Sequence, residues 1–238
     1  MNTYVYGIVS ANHPKKLEGV GVGGDGLRVV EAGEVAAVVS DAPASLHAKR
    51  RELFAHEQVL ETLCAQGVTL PMRFGLLADD DAALAREMSA QRSGYLTLLS
   101  QLEGKAEMNV KARHYEDASL RSVLAQDAEL RRMNHELHSR GGSNSERARF
   151  GELVAAAVQQ QELHDADAIA EALDPHAFQR ADGPAVNGCF VNSSFLVDSA
   201  ATDAFLAAAE ELRESARDAV DLRVRGPLPP YSFTTSPA

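Results

Sequence analysis

The chain has 238 residues and a mass of 25.5 kDa, which predicts one or two domains with a core that needs no metal or disulfide. Its 34 Asp and Glu residues exceed its 23 Lys and Arg residues, and the net charge of −11 repels phosphate backbones and anionic lipid surfaces. Composition therefore argues against nucleic acid and lipid membranes as partners. Cys64 and Cys189 form no Cys-x-x-Cys pair, which gives no support to a thiolate metal site and fits a cytoplasmic protein.

The N-terminal part of the chain shows strand patterns first and helical patterns later. Residues 4–9 form an apolar, β-rich run typical of a strand covered on both faces, and they do not resemble a signal peptide. The predicted elements after it are a β-hairpin over 27–39, a helix over 45–66 ended by Gly67, an extended segment over 68–74 limited by Pro71 to a sheet edge or a strand end, and a helix from Asp79–Asp81 to Leu102.

The remainder of the chain predicts a strand–helix–helix–strand–helix–strand order. The predicted elements are a strand over 108–115, a helix over 117–137, a second helix after the capping box of Ser143 and Glu146, a strand over 189–197, a helix from Asp198 and an alternating strand over 220–224. Helices over one face of an antiparallel sheet bury both layers. We therefore expect an α+β protein with two α+β domains, an N-terminal domain over 1–104 and a ferredoxin-like domain with a helical insertion and a Pro-rich tail over 105–238.

Catalytic signatures are incomplete in this sequence. The pattern Gly-x-Gly-x-x-Gly over 21–26 precedes a predicted strand instead of a helix, so we interpret it as a flexible connector and not a dinucleotide loop. His56-Glu57 opens like a zinc protease motif, but position 60 is Leu60, and we expect His56 to be a partly exposed helix residue. We interpret Asp79–Asp81 as helix capping. No catalytic, cofactor-binding or metal site is predicted.

Two segments have compositions that generic helix or strand formation does not explain: residues 70–75 and the proline-rich residues 226–233. Prolines make the second segment extended and stiff, so it could bind a partner or latch onto its own domain. Arg73 is the candidate to stack on Tyr231 or to bond carbonyls of the tail. The candidate interaction or tail-latch residues are Met72, Arg73, Phe74, Pro230, Tyr231 and Phe233.

Five ordered motifs make the chain resemble the gas vesicle protein F/L family (GvpF/GvpL). They lie at residues 4–8, 70–75, 107–111, 191–197 and 226–233. The closing motif of this family has Trp where this chain has Leu228, which keeps an apolar contact and removes an indole donor. The resemblance implies two α+β domains, the second a modified ferredoxin fold.

The resemblance also implies an accessory or minor structural protein of gas vesicles in the cytoplasm, without enzymatic activity. Such a protein would bind the main hydrophobic shell protein and other gas vesicle accessory proteins, support vesicle nucleation and assembly, and prevent aggregation. Whether it stays in the shell or acts transiently is open. An alternative is a small-molecule-binding enzyme with a pocket near Arg73 at the domain interface.

Overall fold

The computed structural model describes residues 2–17 and 19–234. Its internal contacts divide the chain into two compact units: unit 1, Met1–Glu107 with Gly226–Ala238, and unit 2, Met108–Arg225. The predicted boundary at 104/105 lies close to this division. The domain prediction placed the proline-rich tail in the C-terminal domain, whereas the contact-based division places it with unit 1.

Unit 1 is built on an antiparallel sheet with three helices. Its strands are β1 (Thr3–Ser10), β2 (Arg28–Ala32), β3 (Val35–Asp41), β4 (Thr69–Pro71) and β5 (Leu77–Ala78), and its helices are α1 (Arg50–Gln66), α2 (Asp81–Ala90) and α3 (Arg92–Leu102). The strand order is β2-β3-β1-β4, and β5 also pairs with β1. The short β4 lies at the edge, as Pro71 predicted, because proline cannot donate a ladder hydrogen bond.

Strand β1 is the centre of this sheet. Seven of its eight residues are buried, which agrees with the prediction of a strand covered on both faces. The hairpin of β2 and β3 also follows the prediction: Ala32 pairs with Val35 across a two-residue turn, and Gly33 there has a φ of 69°. This left-handed conformation favours glycine in a tight hairpin turn.

The predicted helix over 79–102 is divided in two at Gln91. Asp80 is the N-cap of α2 and accepts a hydrogen bond of 2.6 Å from the backbone N–H of Ala83, so the capping interpretation is confirmed for this residue. Gly94 in the first turn of α3 is a poor helix former and weakens helical continuity at this point.

Unit 2 contains a four-stranded sheet in the order β7-β8-β6-β9. Its elements are β6 (Lys105–His114), α4 (Glu116–Gln126), α5 (Ala128–Arg140), α6 (Asn144–Leu173), β7 (Gln179–Asp182), β8 (Val191–Asp198), α7 (Thr202–Ser215) and β9 (Val220–Leu228). The first residues of β6 and the last of β9 are assigned to unit 1. The sequence did not predict β7, because three of its four residues are polar and exposed and the strand shows no apolar alternation.

The element order of unit 2 is strand–helices–strand–strand–helix–strand, the order of a ferredoxin-like fold. Strand β8 lies between β6 and β7, so the βαβ unit is split, and three helices occupy its first crossover. Asp127 caps α5 and divides the predicted helix over 117–137. The predicted capping box of Ser143 and Glu146 is present at the start of α6. The α+β fold class is confirmed.

An ion-pair network joins the hairpin of unit 1 to helix α2. The Arg28 guanidinium donates to both carboxylate oxygens of Asp81 at 2.9 and 2.8 Å, and it forms a further ion pair with Asp41 at 2.9 Å. The Thr3 hydroxyl also donates to Asp81. These hydrogen bonds, chiefly those from Arg28, lower the pKa of Asp81 to about 2.

We expect Asp81→Asn to lower the free energy of unfolding by about 1 kcal/mol at pH 7, since the pair is bidentate but partly exposed. Because the folded-state pKa is depressed, this stabilisation is present above the ordinary Asp value near 4 and is lost as the pH falls towards 2. Chemical denaturation between pH 7 and pH 2 measures this effect. The exposed neighbour Asp79→Asn is the control and should behave like the wild type.

Candidate functional site

Four aromatic side chains from three parts of unit 1 form a buried cluster, which we call the aromatic cluster: Tyr4 and Tyr6 of β1, His56 of α1, and Phe74. Tyr6 stacks on the His56 ring at a centroid distance of 5.5 Å. Phe74 meets the rings of Tyr4 and His56 edge-on at 6.0 and 5.7 Å. Edge-on and offset arrangements suit the charge distribution of aromatic rings, so the cluster packs favourably.

His56 is hydrogen-bonded on both ring nitrogens. Its Nε2 lies 3.0 Å from the carbonyl of Met72, which can only accept, so Nε2 carries the proton. Its Nδ1 lies 2.9 Å from the Tyr4 hydroxyl and therefore accepts from it. The residue is 2% exposed, so the prediction that His56 is partly exposed is wrong. Burial is the main cause that lowers the pKa of His56 and keeps it neutral.

The hydroxyl of Tyr6 holds the glycine-rich loop in place. It accepts a hydrogen bond of 2.6 Å from the backbone N–H of Val22 and lies 3.0 Å from the hydroxyl of Ser40. A Cβ on Gly21 would lie 2.3 Å from the Tyr6 oxygen, so only glycine fits at this position. The prediction of a flexible connector over 21–26 is therefore wrong for Gly21 and Val22, because Val22 is fully buried.

Contacts with the aromatic cluster explain the composition of residues 70–75. Pro71 ends β4, and the Met72 backbone N–H then donates to the carbonyl of Tyr6 at 2.8 Å while its own carbonyl accepts from His56. Gly75 has a φ of 91° and donates its backbone N–H to the Tyr4 hydroxyl at 3.2 Å. Burial raises the pKa of Tyr4 to about 12 and keeps its hydroxyl protonated as a donor to His56.

The described part of the proline-rich tail ends in a single turn, Tyr231–Phe233, that is held to Glu107. Ser232 donates its backbone N–H and its hydroxyl to the two oxygens of the Glu107 carboxylate, at 2.9 and 2.8 Å. Glu107 is buried, and so are Pro230 and Phe233. Burial is the largest cause that raises the pKa of the half-buried Tyr231.

The six predicted site residues thus fall in separate places. Phe74 belongs to the aromatic cluster, and the backbone carbonyl of Met72 accepts from His56 of that cluster. Tyr231 and Phe233 lie in the turn held by Glu107, and Pro230 precedes it. Arg73 is exposed, and its guanidinium makes no hydrogen bond, ion pair or ring contact within residues 2–17 and 19–234. Glu107 and His56 were not among the predicted site residues. The available signal for Glu107 was a single carboxylate directly before the alternating apolar residues Met108, Val110 and Ala112 of β6.

The polar groups of the aromatic cluster are hydrogen-bonded within unit 1. Both nitrogens of His56 are hydrogen-bonded, Nδ1 to the Tyr4 hydroxyl and Nε2 to the Met72 carbonyl, and the residue is 2% exposed. Among the described residues, no group of three or more His, Cys, Asp or Glu side chains is arranged to hold a metal ion. Likewise, no helix within these residues has the length and apolar character needed to cross a membrane.

Comparison with known proteins gives the family of the chain. The family model described as gas vesicle synthesis protein GvpL/GvpF matches residues 2–235. The chain is 44% identical to gas vesicle protein F of Streptomyces sp. (strain CB03234) over 98% of this chain and 99% of that protein. It is 28% identical to gas vesicle protein L of the same strain, over 97% and 91% of the two chains.

A solved structure has the same fold. The crystal structure of gas vesicle protein GvpF from Anabaena sp. PCC7120 aligns with a TM-score of 0.86 at 20% identity, covering 100% of this chain and 99% of that one. The chain belongs to the GvpL/GvpF family of gas vesicle proteins, as its motifs indicated. The relatives named here carry gas vesicle names and none carries an enzyme name.

We expect stability to fall as the pH drops below about 6.5, the ordinary histidine value, because the folded state binds fewer protons at His56 than the unfolded chain. His13 shifts in the same direction, so His56→Gln should reduce this dependence only in part. Urea denaturation at several pH values from 7.5 to 5 measures it. The exposed His47→Gln is the control, and an unchanged pH profile in His56→Gln would contradict the assignment.

Proposed function

We propose that this chain is an accessory or minor structural protein of gas vesicles that binds the main hydrophobic shell protein and other gas vesicle accessory proteins. It supports nucleation and assembly of the vesicle and prevents aggregation of the shell protein, and it acts at the gas vesicle in the cytoplasm. The observation that carries this proposal is the match of the GvpL/GvpF family over residues 2–235. Neither nucleic acid nor a lipid membrane is a partner in this proposal.

Surface composition supports such a role. A shell protein exposes apolar surface before assembly, and exposed apolar surface drives aggregation. The chain itself leaves large apolar side chains exposed, for example Phe178 at 63% and Leu163 at 56%. Its net charge of −11 keeps bound clients apart by repulsion. Apolar contact sites on a strongly acidic protein suit reversible capture of an aggregation-prone partner.

Helix α6 is the docking surface that we favour for the shell protein. It has 30 residues, and only Ile169 and Leu173 near its C-terminal end are buried. Leu153 and Leu163 are both exposed, and at 3.6 residues per turn their spacing of ten positions places them about 80° apart around the helix axis. An amphipathic helix face of this kind is a common docking mode for an apolar partner.

We expect the shell protein, co-expressed with this chain, to be retained with it in a pull-down at both low and high salt, because apolar contacts are not screened by ions. The double variant Leu153→Ser, Leu163→Ser should retain markedly less shell protein. Exposed substitutions of this kind change folding stability by roughly 0.5 kcal/mol or less each, so the folded chain is preserved.

Ala155→Ser is the matched control, since Ala155 is exposed on the same helix and the change lowers helix propensity without removing a large apolar group. Absence of retention at every salt concentration would overturn the proposed function. Normal retention by the double variant would overturn α6 as the docking surface and leave the function itself standing.

The alternative of an enzyme with a pocket near Arg73 receives no support from the side chain on which it depended. Arg73 is exposed, and its guanidinium has no hydrogen-bonded partner among the described residues. A catalytic or ligand-binding arginine is normally oriented by neighbouring groups.

We further propose that the tail is a latch that holds the C-terminal segment of unit 1 on the fold. Residues Pro230 and Phe233 supply buried apolar contact, and the Glu107 carboxylate supplies the two hydrogen bonds to Ser232. Hydrogen bonds to an ionised carboxylate are stronger than neutral ones, which suits a short segment that must stay in place. In this arrangement Met72 and Phe74 act through the aromatic cluster.

Glu107→Gln should release the latch, because an amide has one acceptor oxygen in place of two and brings a buried NH₂ group that needs a new partner. We expect a loss of about 1–3 kcal/mol in unfolding free energy and faster hydrogen exchange of the Ser232 amide. Arg73→Ala is the control and should change neither quantity. Unchanged amide exchange in Glu107→Gln would show that the carboxylate does not hold the tail.

A further inference from the structure

The outer face of helix α6 carries a stripe of exposed residues that are spaced alternately four and three positions apart. This spacing keeps side chains on one face of a helix, and it is the spacing found along the seam between two paired helices. At about 100° per residue, all members lie within roughly 40° of one line along the helix. We call these six residues the α6 stripe: Arg149, Leu153, Ala156, Gln160, Leu163 and Asp167.

The rest of unit 2 packs against the opposite side of this helix. Ile169 and Leu173 are the buried residues of α6, and both belong to the core cluster of unit 2. Ile169 and the half-buried Val158 lie about 160° and about 180° from the line of the α6 stripe. The stripe therefore faces away from the core. The side chains of Arg149 and Asp167 make no ion pair or hydrogen bond in the part of the chain that the structure describes.

The α6 stripe is symmetric in position about residue 158 and opposite in charge at its two ends. Leu153 and Leu163 lie five positions to either side of this residue, and Arg149 and Asp167 lie nine positions to either side. The remaining two members lie two positions to either side. An antiparallel second helix, related by a two-fold axis at residue 158, places Leu153 opposite Leu163 of the second copy. It likewise places Arg149 opposite Asp167 of the second copy.

We propose that two copies of this chain associate through their α6 stripes as an antiparallel pair of helices with two-fold symmetry. The two leucine layers supply apolar burial. The small side chain of Ala156 near the centre lets the helices approach closely. Two ion pairs between Arg149 and Asp167, one at each end of the contact, set the direction of the pairing. Parallel helices in the same register would instead place like charges opposite each other, which is unfavourable.

The distribution of charge favours a second copy of the chain as the partner. Each copy has a net charge of −11, so two copies repel each other unless positive groups of one meet negative groups of the other. Residues 140–149 contain three Arg and one Glu, whereas residues 150–179 contain six Asp and Glu and no Lys or Arg. Antiparallel pairing brings the positive start of α6 in one copy to the acidic remainder of α6 in the other.

The pairing covers Leu153 and Leu163, the two side chains proposed to contact the shell protein. The shell protein and the second copy therefore compete for α6, although the pairing itself does not depend on the shell protein. Six side chains per copy form a small contact compared with the roughly 20–30 residues per side of a stable interface, so the dimer is weak and opens readily. Such a dimer keeps the apolar residues of α6 covered until the shell protein displaces the second copy.

Sedimentation equilibrium of the purified chain alone, at concentrations from about 1 to about 300 μM, measures the pairing. The average mass should rise with concentration from 25.5 kDa towards twice this value. Arg149→Asp and Asp167→Arg should each weaken the dimer by about tenfold or more, because each places like charges opposite each other. The first change makes the net charge more negative and the second makes it less negative, so general repulsion cannot explain both effects. The double variant Arg149→Asp, Asp167→Arg should recover the wild-type affinity, because the ion pairs form again with their charges exchanged.

Arg147→Asp is the matched control. Arg147 is exposed on the same helix and its replacement changes the net charge as Arg149→Asp does, but it lies about 160° from the line of the α6 stripe. This variant should associate like the wild type. A mass that stays at 25.5 kDa at every concentration, equal weakening in Arg147→Asp, or no recovery in the double variant would each overturn the proposal. The pull-down with the shell protein tests the proposed function separately, so the two can fail independently.

Discussion

The hydrogen bonds of His56 join helix α1 to the central strand β1 and to the segment that follows β4. Its imidazole accepts from Tyr4 on the central strand and donates to Met72 in the segment after the edge strand. Beside it, the Tyr6 hydroxyl holds Val22 of the glycine-rich loop. Because a buried hydroxyl or imidazole without a partner costs free energy, these groups require the loop and the segment to close on β1 in one arrangement.

These hydrogen bonds explain the composition of two unusual segments, the glycine-rich loop and residues 70–75. Gly21 is needed where the loop meets the Tyr6 oxygen, and Gly75 is needed where a left-handed turn brings its N–H to Tyr4. Glu107 holds the tail by similar logic, since a buried carboxylate is tolerated when donors surround it. Internal hydrogen bonds thus fix the glycine-rich loop, the segment after β4 and the tail of unit 1, while α6 of unit 2 leaves apolar side chains exposed.

Local rules predicted the elements with strong local signals. The buried strand β1, the hairpin at Gly33, the end of α1 before Gly67 and the capping box at Ser143 all follow from a few neighbouring residues. The features that the sequence analysis missed lack such a local signal. Strand β7 is mostly polar and forms because it pairs with β8, and the break at Gln91 interrupts a continuous apolar pattern. In such cases strand pairing and side-chain packing decide the structure, and the periodicity of apolar residues does not.

The sequence alone determined the family, the α+β class and the order of most helices and strands, because ordered motifs and hydrophobic periodicity are local properties of the chain. Only the tertiary structure decided that His56 is buried and that Glu107 holds the tail while Arg73 remains exposed. Each of these depends on residues far apart in sequence that approach within a few ångströms. The energetic cost of burying a polar group is set by such neighbours, which no local pattern specifies.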